Sequence, residues 1–336
     1  MSRALRLFVA MISMTVVHAQ PSLLSGPIEG YTFDAPTGSI RAVIGSLGSA
    51  SLGPPVLKLL DFASVAPHQT YAIASRSGQA LLVSGLQSEP VSTTVLPRSV
   101  SAPEGLVWSD DGSVAILYSQ TGNWIQTLTG LPNSLTAGPV ISLVPLAGSL
   151  SSVATDVHGL RIAVGVTGGA AGVYEIVGGQ NSVPLLDISA PVALGFSDDG
   201  TLYALDGATE QISEIGVSES GSVTSSTQTW PLALDNAIAI RPARDASNHQ
   251  ILYVAAGSDR LLVAYDASSH QNIAAIPLSF APTTLMPLGS NGFLLRTRSN
   301  SSDPLWSFTN TPQPSVYFVP ATPANLREPS RRLGGQ

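Results

Sequence analysis

The amino-acid sequence predicts an all-β protein of the propeller class. Three observations carry the prediction. A strand–turn–strand phrase occurs twice: Leu106-Val107-Trp108-Ser109-Asp110-Asp111-Gly112-Ser113-Val114-Ala115 and Leu194-Gly195-Phe196-Ser197-Asp198-Asp199-Gly200-Thr201-Leu202-Tyr203. Related corners recur along the chain about every 42 residues, the period of four-stranded blades. Helical periodicity is nearly absent. Short runs rich in Val, Ile, Leu, Tyr and Thr are instead cut by Gly, Pro, Asn, Asp and Ser.

The chain begins with the pattern of a secretory signal. Arg3 and Arg6 precede an apolar run from Leu7 to Val17, and Val17-His18-Ala19 forms a small-residue cleavage site. The run is shorter than the roughly 20 residues a bilayer span needs. The expected divisions are a signal peptide over 1–19, a propeller over 20–320 and a flexible tail over 321–336, whose Pro-, Arg- and Gly-rich sequence lacks periodicity. The product is expected to be secreted or periplasmic, without a later membrane span.

Composition narrows the function. The 336 residues contain no cysteine, which excludes disulfides, thiol nucleophiles and a cysteine-linked lipid anchor. The net charge is −7, falling to about −9 if Arg3 and Arg6 leave with the signal. Lys58 is the one lysine. A duplex-binding surface needs clustered cations, so nucleic acid is not an expected partner.

The corners place the blades. Turn glycines stand at Gly38, Gly78, Gly112, Gly159, Gly200 and Gly292, each between apolar runs. Between the last two a longer corner, Arg241 to Gln250, lacks the glycine. Val56 to Phe62 reads as a helical turn or a buried strand. Second strand pairs follow the corners, as in Leu261–Tyr265 with Ile273–Ile276 and Trp306–Phe308 with Val316–Val319. Seven four-stranded antiparallel blades result. The alternative is six blades with the N-terminal hairpin around Phe33–Ile40 completing the last one.

The phrases Gly195-Phe196-Ser197-Asp198-Asp199-Gly200-Thr201-Leu202-Tyr203 and Ile251-Leu252-Tyr253-Val254-Ala255 resemble the strand–turn–strand core of bacterial YVTN-type and NHL-like propeller repeats. The resemblance implies the fold. It leaves function open, because such propellers serve as scaffolds, binding modules and enzymes.

Candidate site residues follow from where the repeat breaks. The long corner gathers Arg241, Arg244, Asp245 and His249 in a chain with only 11% charged residues. Departures from a repeat often lie on a binding face. Its arginines could clamp a carboxylate; the bland account is a solvated loop with an Arg244–Asp245 contact. Asp110, Asp111, Gly112, Asp198, Asp199 and Gly200 read as turn chemistry. Glycine takes the positive-φ position and the carboxylates accept nearby backbone N–H bonds. A calcium site there would need six to eight oxygens, more than one corner supplies, so no cofactor is expected, with Ca²⁺ the alternative.

No Gly-x-Ser-x-Gly elbow, His-Glu-x-x-His motif or phosphate loop occurs. His68, His158, His249 and His270 read as solvated loop residues, and Trp108, Trp124, Trp230 and Trp306 as packing between blades. Glu210, Glu214 and Glu219 read as a solvated edge that discourages aggregation. The expected function is a monomeric, non-catalytic binding or scaffold protein that meets a protein or glycan through one ring face. The alternative is a lactonase-like hydrolase with its site at the central channel.

Overall fold

The computed structural model describes residues 26–320, apart from residues 47, 89, 178–180, 218–222, 246, 290–291 and 311–313. The signal and tail assignments lie outside the described residues. Seven antiparallel sheets follow one another along the chain. Their inner strands are Ile28–Asp34, Phe62–Val65, Gly105–Trp108, Gly148–Thr155, Pro191–Phe196, Ala237–Arg244 and Met286–Leu288. These define blades 1 to 7.

The core explains why the sheets form a ring. Each blade is apolar on both faces, so no blade can bury itself alone. Seven apolar clusters result, one between each pair of neighbours. Ile73 and Leu82 of blade 2, for example, meet Leu117 and Leu128 of blade 3. Ile116 and Ile125 on the other face of blade 3 meet Ile162 and Val164 of blade 4. The seventh cluster closes the circle, joining Val43 and Leu52 of blade 1 to Leu288, Leu294 and Leu305 of blade 7.

Blades 2 to 7 have four strands, but blade 1 has three among the described residues. Its outermost strand, Ser51–Leu57, contains Pro54 and Pro55. Neither has an N–H to donate to a further strand. An odd strand count also reverses direction. Phe33, near the end of the first inner strand, lies 6.4 Å from Phe62 at the start of the next. The earlier Tyr31 N–H donates to Oε1 of Gln69, beyond that strand's end, at 2.6 Å. The inner strand of blade 1 therefore runs against its neighbour.

This corrects the six-blade alternative. The hairpin around Phe33–Ile40 pairs within its own sheet, and blade 7 is completed by Leu305–Thr309 and Ser315–Val319. Closure instead uses a buried ionic lock. The Asp34 carboxylate accepts from Arg298 Nη1 of blade 7 at 3.0 and 3.1 Å, and from Arg41 Nη1 at 3.2 Å. The three side chains are 0%, 3% and 8% exposed respectively. Arg41 also donates to the carbonyls of Gly53 and Leu52, and Arg298 to those of Asp303 and Ser301.

Two sequence assignments shift. Gly78 marks the second hairpin of blade 2, between Tyr71–Arg76 and Gln79–Ser84, not the first. Val56–Phe62 is neither one strand nor a helical turn. Val56 and Leu57 end one strand, Phe62 begins another, and residues 58–61 link them. The two Ser-Asp-Asp-Gly corners form as read. Gly112 and Gly200 have φ of 72° and 84°, where a side chain is disfavoured.

Candidate functional site: the central channel and its corner mouth

The inner strands of all seven blades enclose a cavity of about 360 Å³. That volume suits a small ligand. Its wall is mostly apolar: Tyr31, Phe33, Phe62, Ala63, Val65, Leu106, Val107 and Trp108 cover the side of blades 1 to 3. Val153, Ala154, Leu194, Phe196, Ile240, Leu285 and Met286 continue it around. Alternate side chains of each inner strand pack toward its two neighbouring blades, as Leu106 and Trp108 do toward blade 2 and Val107 toward blade 4. The channel is walled by the inner edges of these strands, where Thr32, Ser64 and Thr155 stand among the apolar residues.

Trp108 belongs partly to this wall, a departure from its reading as packing alone. Its ring meets Tyr71 edge-on at 5.6 Å, and its Nε1 donates to Ser64 Oγ at 3.0 Å. Among the described residues, the charged groups lining the cavity are Asp110 and Arg241. They form an ion pair, Nη2 to Oδ1, at 2.8 Å.

This pair crosses the ring. Asp110 is in the first corner of blade 3, and Arg241 is on the inner strand of blade 6. Three blades apart is the largest separation that seven positions allow. The pair therefore spans the channel mouth on the face that carries the first corners of blades 2 to 7. Both side chains are partly exposed, at 30% for Arg241 and 42% for Asp110. The other guanidinium donors of Arg241 have no hydrogen-bond partner among the described residues.

The two acids of each corner divide their work. Asp111 Oδ1 accepts from the Ser109 hydroxyl and the Ser113 amide, and Asp199 Oδ1 accepts from the Ser197 hydroxyl and the Thr201 amide. Asp110 and Asp198 instead face arginines. Arg244 Nε meets Asp198 Oδ2 at 2.7 Å, and Arg244 Nη1 donates to the Asn248 carbonyl. The expected Arg244–Asp245 contact is thus replaced by a bond to the neighbouring blade. Asp245 Oδ1 caps its own turn through the Ser247 and His249 amides, and His249 Nδ1 lies 3.6 Å from Asp245 Oδ2. Of the four residues singled out in the long corner, Arg241 alone lines the channel. Its partner Asp110 was read as turn chemistry, because a contact spanning 131 residues leaves no local signal.

Burial raises the Asp111 and Asp199 carboxyls, but the serine hydroxyls and backbone amides outweigh it and hold both below the usual carboxylate range. Arg244 adds to the lowering at Asp199. Nearby, Arg161 is placed over the channel-lining Phe196 ring at 5.1 Å and pairs with Glu175 at 2.8 Å.

The histidines divide as well. His158 and His249 are exposed, at 68% and 73%. His270 is not a solvated loop residue. It stacks on Trp230 at 4.0 Å, and its Nε2 lies 3.2 Å from Glu214 Oε2. Glu214 therefore joins blades 5 and 6 rather than forming a free edge, and Glu210 accepts the Asn236 amide. Glu219 lies outside the described residues.

A calcium ion asks for six to eight oxygens. Among the described residues, no group of three or more His, Asp or Glu side chains could hold a metal, and Asp110 is the one carboxylate on the channel wall. The residues of the channel do not fit such an ion. No helix among the described residues is long and apolar enough to cross a membrane.

No family model matches the chain, and no curated protein does. Solved structures do match. A putative 6-phosphogluconolactonase from Bacteroides fragilis aligns with TM-score 0.59 at 11% identity, over 87% of this chain and 94% of its own. The periplasmic gluconolactonase of Pseudomonas aeruginosa aligns with TM-score 0.56 at 17% identity, over 88% and 98%. Regucalcin from Agrobacterium tumefaciens, a calcium-binding protein, aligns with TM-score 0.50 at 18% identity, over 83% and 88%. At these identities the likeness is one of fold: the chain is a seven-bladed β-propeller.

Proposed function

We propose that the central channel is the working site and that the protein is a small-molecule hydrolase of the lactonase kind, opening a cyclic ester. The observation that carries this is the Asp110–Arg241 pair, an acid–base couple at the mouth of an apolar cavity. Two of the aligned propellers, a gluconolactonase and a putative 6-phosphogluconolactonase, support the same class of chemistry. The calcium-binding neighbour does not extend it, since the channel lacks the oxygens for that ion.

The geometry suits a metal-free route. Asp110 is placed to take a proton from a water at the mouth as that water attacks the ester carbonyl. Arg241, through the donors Asp110 leaves open, holds the carbonyl oxygen as it gains negative charge. The carbon–oxygen bond of the ring then breaks, and the proton on Asp110 passes to the departing alkoxide. The product is a hydroxy acid, whose carboxylate competes with Asp110 for Arg241.

A second reading is binding without turnover. The mostly apolar wall favours it, as does the exposed Leu160 in the first corner of blade 4, which offers a contact for a protein partner. The signal-like N-terminus and the periplasmic neighbour support a periplasmic or secreted setting for either reading. The test is hydrolysis of a lactone panel by wild type, Asp110→Asn and Arg241→Met. A fall in kcat/KM of about 100-fold or more in Asp110→Asn is expected for loss of a general base. Absence of turnover by wild type, or turnover unaffected by Asp110→Asn, rejects the hydrolase reading.

A further inference from the structure

We infer that the channel takes an aliphatic amphiphile with one carboxylate end, whose head binds Arg241 and whose tail fills the channel toward Phe33, Phe62 and Met286. The inference rests on the channel being the working site but not on catalysis. It names the ligand class that the walls select.

The two ends of the cavity differ in chemistry. At the corner mouth are Asp110 and Arg241. Toward the opposite face the lining is Phe33, Ala35, Phe62, Leu285 and Met286, with Thr32 and Thr297 as polar neighbours. Phe33 and Phe62 face each other at 6.4 Å, and Met286 is 42% exposed. That arrangement follows from the reversed blade 1, which brings the end of its inner strand to the beginning of the next. A polyol could meet Thr32, Ser64, Thr155 and Thr297, but hydroxyls lying against Val107, Val153, Leu194 and Ile240 would lose their water partners at a desolvation cost. An alkyl chain meets no such cost.

The head group is set by charge. Among the described residues Arg241 has one hydrogen-bond partner, Asp110, which is partly exposed. A ligand carboxylate arriving from the channel side accepts two parallel N–H bonds from the guanidinium, while Asp110 turns to solvent. The ion pair thus acts as a latch that the ligand's own charge releases. Both a free fatty carboxylate and the hydroxy-acid product of an apolar lactone have this chemistry.

The experiment is calorimetric titration of the full protein with hexanoate, octanoate and decanoate, and with decanol, below their aggregation concentrations. One-to-one binding should tighten about 4-fold per added methylene, the ratio that about 0.8 kcal/mol per buried CH₂ implies, until the chain fills the cavity. Arg241→Met should weaken decanoate at least 10-fold and leave decanol unchanged. Asp110→Asn removes the competing carboxylate, so decanoate should bind several-fold tighter. Met286→Glu, at an exposed position, should weaken decanoate by placing a charge at the tail end. Unchanged thermal unfolding of each variant establishes that it folds. No saturable binding, equal affinity for decanol and decanoate, or indifference to Arg241→Met overturns the inference. Binding with this pattern but no lactone turnover upholds it and rejects the hydrolase reading alone.

Discussion

Replacing Asp34 by alanine tests how the ring is closed. The carboxylate is fully buried between Arg298 of blade 7 and Arg41 of its own blade. Removing it takes away the carboxylate that two guanidinium groups, 3% and 8% exposed, share. Breaking a buried ion pair from one side typically costs about 3–5 kcal/mol, since the stranded charge keeps its desolvation penalty. A chain of this size loses about 2 °C of Tm per kcal/mol, so a fall of roughly 6–10 °C is expected. The assay is thermal and urea unfolding followed by tryptophan fluorescence. Asp34→Ala combined with Arg298→Met should recover part of the loss, because the second change removes one stranded charge. A loss under about 1 kcal/mol for Asp34→Ala, or no recovery in the double variant, would refute the assignment of the lock.

Three smaller perturbations separate local from long-range effects. Gly200→Ala meets no atom within 4 Å, so its cost is the positive φ alone, about 1–2 kcal/mol in urea unfolding. Arg244→Ala removes an ion pair with side chains 37% and 53% exposed, and stability should change by less than about 1 kcal/mol. Asp111 and Asp199 have lowered folded-state pKa values. Their contribution is present above the ordinary carboxylate range and is lost as pH falls through the lowered values. Asp111→Asn/Asp199→Asn should therefore flatten the acid side of a stability-versus-pH profile and leave its alkaline side unchanged.

The ring was legible in the sequence because its determinants are local. Alternating apolar runs set strands, and a positive-φ glycine after Ser-Asp-Asp sets a hairpin at Gly112 and Gly200. A turn glycine does not say which hairpin of a blade it serves, and this misplaced Gly78. Inner strands begin 43 residues apart from blade 2 to blade 5, but 34 separate blades 1 and 2 and 49 separate blades 6 and 7. The uneven steps hid the blade that has three strands among the described residues, whose outermost strand Ser51–Leu57 carries two prolines. The site was half legible. Arg241 stood out because the repeat breaks there, whereas Asp110 looked like its turn-forming neighbour Asp111. Its role depends on an arginine 131 residues away, as that of Asp34 depends on Arg298, 264 residues away. Such pairs are fixed by ring geometry, which periodicity does not encode.

The most direct test of the central claim is a crystal structure of the protein soaked with decanoate. Density is expected along the axis between the inner strands, with the carboxylate on Arg241, Asp110 turned away and the alkyl end at Phe33 and Phe62. An empty channel at saturating ligand, or a carboxylate bound away from Arg241, would contradict it.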